Sequence, residues 1–343
     1  MWEFFKSLFP TRPLELGALI DERPAAQREA EDIKIEQVAA ALVPVEWKEI
    51  PKDQIRSFGE QNQRQKSDCV AETRRKLKRI MFKVNKGLDL DFSAVAFYRK
   101  RRNYPDAGMN AADAIKIDRD QGMTLDALVP SEPVMNEAAA NAVNPEKYND
   151  DVAQVFRTST DDIVFTPGDL DAPAGTIQKT RKGVMMWFYF TAEEWSREVP
   201  VLKDRLLFSP AHPRALRHST TGTEPAVYQG KQGVWIEDSA HFGGISRRFI
   251  TREFYKARNY WASYPITFKF DAGVGPRPKY EKTIISVQKI LRYEGFFPSN
   301  VDYVESLGPV TRKALREFQA KYGISETGEL DTGTIVKIKS LYK

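Results

Sequence analysis

Apolar positions repeat with a helical period over residues 70 to 84, directly after Cys69. A repeat near 3.6 residues predicts an amphipathic helix. Ser67 and Asp68 are favoured N-cap residues, and Gly87 is a typical helix stop. Cys69, the only cysteine, is therefore expected in the first helical turn, where the partial positive charge of the helix end favours a thiolate. The competing interpretation is a small buried side chain, the usual state of a free cysteine.

The remaining pattern divides the chain into a helical half and a strand-rich half. Further helical patterns cover residues 27–42, 91–102 and 111–120. After them, β-branched and aromatic runs set apart by Gly and Pro predict strands. The predicted strands cover residues 152–157, 176–179, 184–190, 218–228, 233–237 and 248–250. Helices followed by strands favour the α+β class, with a cleft between the two halves.

A Gly/Pro-rich stretch at residues 271–278 marks the clearest domain boundary. Three helical patterns follow it, at residues 282–293, 309–322 and 332–341. The predicted organisation has four parts: an arm (1–42), a large domain (43–268), a linker (269–280) and a small all-α domain (281–343). The arm could dock on its own domain, on another subunit or on a membrane surface.

Composition narrows the choice of function. With 41% hydrophobic and 29% charged residues, the 343-residue chain is expected to form ordinary globular domains. Its net charge of +5 suits an anionic partner, but the basic residues are scattered and predict no nucleic-acid interface. A single cysteine excludes an internal disulfide framework and a cysteine-rich zinc site. We expect no cofactor and no metal.

Targeting signals are weak in this chain. No apolar run reaches the roughly 18 residues that a membrane span requires, so no integral membrane segment is expected. Residues 1–10 are apolar and short, and Glu3, a single Lys6 and the lack of a small-residue cleavage site argue against a signal peptide. Action outside the cytoplasm would then require another route, such as phage lysis or assembly into a virion.

The three histidines are the candidate partners of a nucleophilic thiol. Such a thiol needs a base to take its proton and a group that orients the base. His218 opens one predicted strand, and Asp238 ends another 20 residues later. Adjacent strands could place these two side chains together, facing the helix that begins at Cys69. The alternative is a surface histidine, or one whose hydrogen bonds are satisfied within the fold, without a catalytic role.

The residues around Cys69 resemble a known family. Gln63-Arg-Gln-Lys-Ser-Asp-Cys-Val-Ala71 is similar to the papain-like cysteine peptidase signature Gln-Gly-x-Cys-Gly-x-Cys-Trp-Ala, with glutamine six residues before the nucleophile in both. His218 and the stretch 233–244 resemble the family's histidine and its later Asn-Ser-Trp-Gly segment. The order of these residues agrees over about residues 43 to 265. The resemblance implies a two-lobe fold, with a helical lobe and a β-barrel-like lobe.

The resemblance also implies a role for each residue. Cys69 would attack a carbonyl carbon, and His218 would take the thiol proton and pass it to the leaving amine. Asp238, in the place of the family's asparagine, would orient the imidazole. The side chain of Gln63 and the backbone N–H of Cys69 would form the oxyanion hole. Asp68, next to the nucleophile, departs from the family pattern, and its charge would raise the pKa of the thiol.

A second resemblance covers the C-terminal part. Ile284 to Pro298, Gly308-Pro309-Val-Thr311 and Phe318-Gln319 are similar to the three-helix peptidoglycan-binding domain. Val287, Leu315 and Phe318 are expected in its core. The domain implies peptidoglycan as a partner and a bacterial cell wall or extracytoplasmic site of action.

Together the two resemblances imply a cysteine peptidase that hydrolyses amide bonds through a thioester at the cell wall. A peptidoglycan stem or cross-bridge peptide is the first-choice substrate. One alternative is a peptidase of wall-associated proteins that uses the wall only for docking. Another is a catalytically inactive papain-like structural protein, such as a phage virion component that binds peptidoglycan.

Overall fold

The computed structural model describes residues 17–20, 33–34, 44–144, 150–158, 162–265, 279–294, 296–297 and 303–342. Most of the predicted arm and of the predicted linker lies outside these residues. The predicted helix at residues 27–42 also lies outside them, except for Ile33–Lys34, which form a short strand, β1.

The first half is helical. Its first three helices lie where the apolar period predicts them, whereas residues 137–142 and 150–155 were not predicted to be helical. Its helices are α1 (Cys69–Lys86), α2 (Ala94–Arg99), α3 (Ala111–Asp120), α4 (Glu137–Ala142) and α5 (Asp150–Val155). Helix α1 begins at Cys69 with Asp68 at the N-cap, but the Asp68 carboxylate makes no capping hydrogen bond. Gly87 caps the C-terminal end of helix α1, and its φ of 67° is the left-handed conformation that favours glycine.

The second half contributes six strands to a sheet that, with β1, has seven strands among the described residues, in the order β1-β2-β7-β3-β4-β5-β6. The strands are β1, β2 (Asp162–Val164), β3 (Val184–Phe190), β4 (Leu216–Tyr228), β5 (Lys231–Glu237), β6 (Arg247–Thr251) and β7 (Asn259–Pro265). Only the β1–β2 pair is parallel among the described strands. Strands β1 and β6 are the two edges, so the described sheet is open and does not close into the barrel-like lobe expected. The predicted α+β class is confirmed.

Two predicted strands are helical. Residues 152–157 lie mostly in α5, and residues 176–179 lie in α6 (Asp171–Thr180). Val152 and Val155 are three residues apart, so one helical face carries both against the core of the first half. The β-branched composition of these runs is outweighed by burial of a helical face. Strand β7 and the preceding helix α7 (Arg252–Arg258) were not predicted.

Helix α1 joins the two halves. It contacts α2 and α3, and it also contacts strands β3 and β4 of the sheet. Its apolar residues share a buried cluster with Met185 and Trp187 of β3. The start of α1 therefore lies where the helical half meets the sheet. In the part of the chain that the structure describes, no helix is long and apolar enough to cross a membrane.

The described residues of the C-terminal part form three helices near their predicted positions: α8 (Ile284–Tyr293), α9 (Pro309–Lys321) and α10 (Thr332–Leu341). Val287, Leu315 and Phe318 are buried in its core, as expected. Gln319 is also buried, and it holds the turn after α9 by accepting a hydrogen bond from the Gly328 N–H at 2.8 Å.

Candidate active site

Cys69 lies at the first position of α1 and is fully buried. Its carbonyl accepts a hydrogen bond from the Thr73 hydroxyl at 2.8 Å, and Thr73 Oγ1 accepts one from the Ser219 hydroxyl at 3.0 Å. Ser219 belongs to β4 and follows His218 directly. These bonds tie the first turn of α1 to the strand that carries the candidate base.

His218 and Asp238 meet on neighbouring strands. His218 lies on β4, and Asp238 comes directly after β5, which pairs with β4. His218 Nε2 is 2.8 Å from Asp238 Oδ1, and both side chains are fully buried. Because a carboxylate oxygen only accepts, Nε2 carries the proton of this bond. His218 Nδ1 is buried and has no hydrogen-bond partner among the described residues.

The sulfur of Cys69 lies against the backbone beside His218. Burial raises the pKa of the Cys69 thiol well above its usual range, and the backbone N–H groups of Ser219 and Val70 act in the opposite direction. The negative charge of Asp238 raises this pKa further, and so does that of Asp68 when it is ionised. Because the sulfur is buried, the thiol form is favoured over the thiolate. The position at the helix end alone had predicted the opposite.

Gln63 links the loop before α1 to the loop after β5. Its side-chain oxygen accepts a hydrogen bond from the Ser239 hydroxyl at 3.0 Å, and its backbone N–H donates to the Ser239 carbonyl at 2.9 Å. Its amide nitrogen donates to the Lys66 carbonyl at 2.8 Å. The side chain is buried and held at both ends. One hydrogen of its NH₂ group is not used by the Lys66 bond.

Asp68 is buried without a hydrogen-bond partner for either carboxylate oxygen among the described residues. Lys66 Nζ lies 3.5 Å from Asp68 Oδ2. Burial raises the pKa of Asp68 well above its usual range, the charge of Glu72 raises it further, and Lys66 only partly opposes the shift. The neutral acid is thereby favoured, so the repulsion expected between Asp68 and a thiolate is weakened.

Asp238 is surrounded by hydrogen-bond donors. Its Oδ2 accepts from Trp195 Nε1 and from Arg248 Nε, each at 2.9 Å. Its Oδ1 accepts from the Ala240 N–H at 2.9 Å in addition to His218. Burial alone would raise the pKa of Asp238, but His218, Arg248 and Trp195 lower it well below its usual range. The carboxylate is therefore ionised.

Trp195 and Arg248 are the site neighbours that the sequence analysis did not identify. Trp195 lies outside any helix or strand, 43 residues before Asp238, and it stacks on Phe190 at a ring-centroid distance of 4.0 Å. Its ring also meets the His218 ring edge-on at 6.4 Å. A signal for Arg248 does exist, since a charged residue within a short apolar strand pattern indicates a buried ion pair.

Residues 17–20 pack against the chain immediately before α1. The Met109 N–H donates to the Gly17 carbonyl at 2.7 Å, and the Leu19 N–H donates to the Met109 carbonyl at 3.0 Å. Gly17 has a φ of +92°, and a Cβ atom there would lie 1.8 Å from the carbonyl oxygen of Ser67. Only glycine can therefore pass so close to the chain two residues before Cys69.

Three comparisons with known proteins bear on this architecture. Residues 281–338 match a family model described as "Putative peptidoglycan binding domain". Xylellain, a cysteine protease from Xylella fastidiosa, superposes with a TM-score of 0.54 at 13% identity, over 74% of this chain and 98% of its own. No match was found among curated proteins.

Two proenzyme structures align less well. Procathepsin B from Trypanosoma congolense has a TM-score of 0.48 at 10% identity, over 74% of this chain and 87% of its own. Procathepsin L 3 from Tenebrio molitor has a TM-score of 0.46 at 12% identity, over 70% of this chain and 86% of its own. The superposition on xylellain and the family-model match together show a papain-like cysteine protease fold followed by a C-terminal peptidoglycan-binding domain.

Proposed function

We propose that the protein is a cysteine peptidase that hydrolyses amide bonds of peptides in the bacterial cell wall. The observation that carries the proposal is the buried His218–Asp238 pair, which is joined at 2.8 Å. His218 lies on β4, the strand that is hydrogen-bonded to the first turn of α1. Cys69 stands at the start of that turn. Nucleophile, base and orienting group thus come from three segments, namely α1, β4 and the loop after β5.

The proposed reaction starts with proton transfer from Cys69 Sγ to His218 Nδ1, the ring nitrogen that is not used by Asp238. The sulfur attacks the carbonyl carbon, and the tetrahedral intermediate then expels the amine, which takes the proton from His218. The remaining thioester is hydrolysed by water, with His218 as the base. The acid product leaves, and the thiol is restored.

The developing oxyanion would be stabilised at the start of α1. The Cys69 N–H belongs to a helix end, and the second amide hydrogen of Gln63 is the other donor that we assign. Each such donor is typically worth about 3 kcal/mol of transition-state stabilisation. The bonds from Gln63 to Ser239 and Lys66 would keep its amide in place, so little reorganisation is needed during the reaction.

The C-terminal domain supports the choice of substrate. A domain that binds peptidoglycan holds the catalytic domain near the stem and cross-bridge peptides of the wall, which raises their effective concentration. We therefore place the site of action at the wall. Delivery by phage lysis or as part of a virion remains a prediction from the sequence, as does docking of the arm on another subunit.

The test compares the full-length protein with its Cys69→Ala and Cys69→Ser variants on purified cell wall. We expect the wild type to release new amino termini and clear the suspension, and both variants to lose this activity while still co-sedimenting with the wall. Release of amino termini by Cys69→Ala at the wild-type rate would contradict the proposal. A parallel digest of wall-associated proteins separates peptidoglycan peptides from protein substrates.

A further inference from the structure

Arg248 is a buried arginine whose guanidinium is directed at the orienting carboxylate. Its side chain is fully buried, and Nε donates to Asp238 Oδ2 at 2.9 Å. Nη1 donates to the Arg197 carbonyl at 3.0 Å, and Nη2 donates to the Phe242 carbonyl. The guanidinium is thus fixed by three bonds, of which one reaches the candidate site.

The donors around Asp238 are divided between its two oxygens. Arg248 and Trp195 both bind Oδ2, while His218 and the Ala240 N–H bind Oδ1. This division fixes the plane of the carboxylate and leaves one oxygen for the imidazole. An asparagine at this position could be oriented in two ways. Its NH₂ group would face either the two donors on the Oδ2 side, Arg248 and Trp195, or the Nε2–H donor of His218. The neutral asparagine of the papain-like pattern therefore does not fit this shell unaided.

We propose that Arg248 is a positioning residue of the candidate site: it anchors Asp238 by Oδ2 and balances its charge, so that the pair presents His218 with a single, nearly neutral acceptor. The inference rests on the proposed function, in which His218 is the base. Two buried opposite charges in contact act on a neighbour much as a dipole does, and the field at His218 is weaker than that of a lone carboxylate. The Asp238–Arg248 pair would thus take over the task of a neutral amide.

The test is a charge cycle made of Arg248→Met, Asp238→Asn and the double variant. The readout is the pH dependence of Cys69 alkylation by iodoacetamide, followed by mass spectrometry. In Arg248→Met the lone carboxylate disfavours the thiolate and favours the imidazolium. We therefore expect both limbs of the profile to move to higher pH by about one unit. Asp238→Asn leaves a lone guanidinium and should move both limbs to lower pH. The double variant removes both charges and should return to the wild-type position.

Arg247→Met is the matched control. Arg247 is the neighbouring residue on β6, and it lies near the Trp235 ring and donates to the carbonyl of Ile55, without touching Asp238. Loss of its charge should leave the profile in place. A shift equal to that of Arg248→Met would show that net charge alone is responsible, and this would overturn the proposal.

A second readout does not depend on the reaction. The Nε2 proton of His218, bound to a buried carboxylate, should give a protected downfield signal in the proton NMR spectrum. We expect this signal in the wild type and in Arg247→Met, and its loss or broadening in Arg248→Met. If Cys69 is unreactive in every variant, the proposed function fails and this signal alone decides the role of Arg248.

Two outcomes would overturn the proposal outright. One is a folded Arg248→Met variant with the wild-type pH profile and the wild-type His218 signal. The other is an Asp238→Asn profile that does not move, which serves as the test if Arg248→Met fails to fold. Recovery of folding in the double variant, where Arg248→Met alone unfolds, would instead support the charge pairing.

Discussion

Two buried aspartates flank the candidate site, one on the helix side and one on the sheet side, and their pKa values shift in opposite directions. Asp68, before α1, has its pKa raised well above the usual range. Asp238, after β5, has its pKa lowered well below that range. Both side chains are fully buried. Burial therefore does not decide the charge of a carboxyl group in this protein.

The pKa values of Asp68 and Asp238 shift in opposite directions because the two carboxyl groups have different hydrogen-bond donors around them. Four donors bind the Asp238 oxygens, including a guanidinium and an imidazole, whereas neither oxygen of Asp68 has a hydrogen-bond partner among the described residues. A charge is stable in the interior only when hydrogen bonds replace those that it had with water. The sheet side thus holds an ionised carboxylate, paired with Arg248, beside the base, whereas the environment on the helix side disfavours a charged carboxylate beside the nucleophile.

The largest effect is expected from removing the Asp238 carboxylate, which accepts hydrogen bonds from the surrounding donors. Asp238→Ala leaves Arg248 buried without its partner, and we expect a loss of about 3–5 kcal/mol in the free energy of unfolding at pH 7. Because the folded pKa of Asp238 is depressed, its contribution is present above about pH 4 and is lost as the pH falls toward that pKa. The variant should therefore lose less stability than the wild type when the pH falls below about 4.

Chemical denaturation at several pH values measures this loss. Asp89→Ala is the control, since Asp89 is a half-exposed carboxylate paired with Arg79, and its removal should cost less than about 1 kcal/mol. Equal losses for the two variants at pH 7 would show that the donors around Asp238 add no net stability.

The next effect concerns residues 17–20, which lie beside the start of α1. Gly17→Ala places a Cβ atom against the Ser67 carbonyl and should displace residues 17–20 from Met109. We expect the rate of Cys69 alkylation to rise by about tenfold, because a barrier of about 1.4 kcal/mol to opening is removed. The measurement is the labelled fraction over time at fixed pH.

Gly230→Ala is the matched control for backbone strain. Gly230 also has a positive φ, +71°, but no atom lies within 4 Å of the position that its Cβ atom would take, so the two variants share only the strain. The alkylation rate of Gly230→Ala should equal that of the wild type. An unchanged rate in Gly17→Ala would mean that this segment does not limit access to the thiol.

The local parts of the site could be predicted from the sequence, and the parts that depend on tertiary contacts could not. The helix that starts at Cys69 is predictable because its apolar period and its glycine stop are local properties. The strand that carries His218 and the strand that ends just before Asp238 are predictable for the same reason. The two strands pair in the antiparallel sense, which brings His218 and Asp238 together. Which donors surround Asp238 depends on Trp195, a residue in an irregular segment that no periodic pattern places.

The polar side of α1 shows the same limit. An amphipathic pattern predicts a solvated charged face, yet Arg74 and Lys78 of this helix are buried and pair with Asp118. Their burial arises because α3 packs against α1 and brings Asp118 with it. A charged position in the sequence gives no sign of whether another element will cover it.

The smallest effect is expected from Asp68→Asn, which sharpens the comparison between the two aspartates. Since the folded pKa of Asp68 is raised, its contribution to stability is fully present below the unfolded value of about 3.9 and is lost as the pH rises through the folded pKa. The asparagine avoids this loss, so we expect the stability of the variant relative to the wild type to increase as the pH rises above about 4. Lys66, which favours the charged form, limits the gain.

The alkylation rate of Cys69 tests the same point at the nucleophile. If Asp68 is largely neutral, replacing it with asparagine removes little charge, and the rate near neutral pH should change by less than about threefold. An increase of about tenfold or more would mean that Asp68 is ionised and that its charge suppresses the thiolate. In that case the helix side would carry the same charge as the sheet side, and the two aspartates would differ only in their hydrogen bonds.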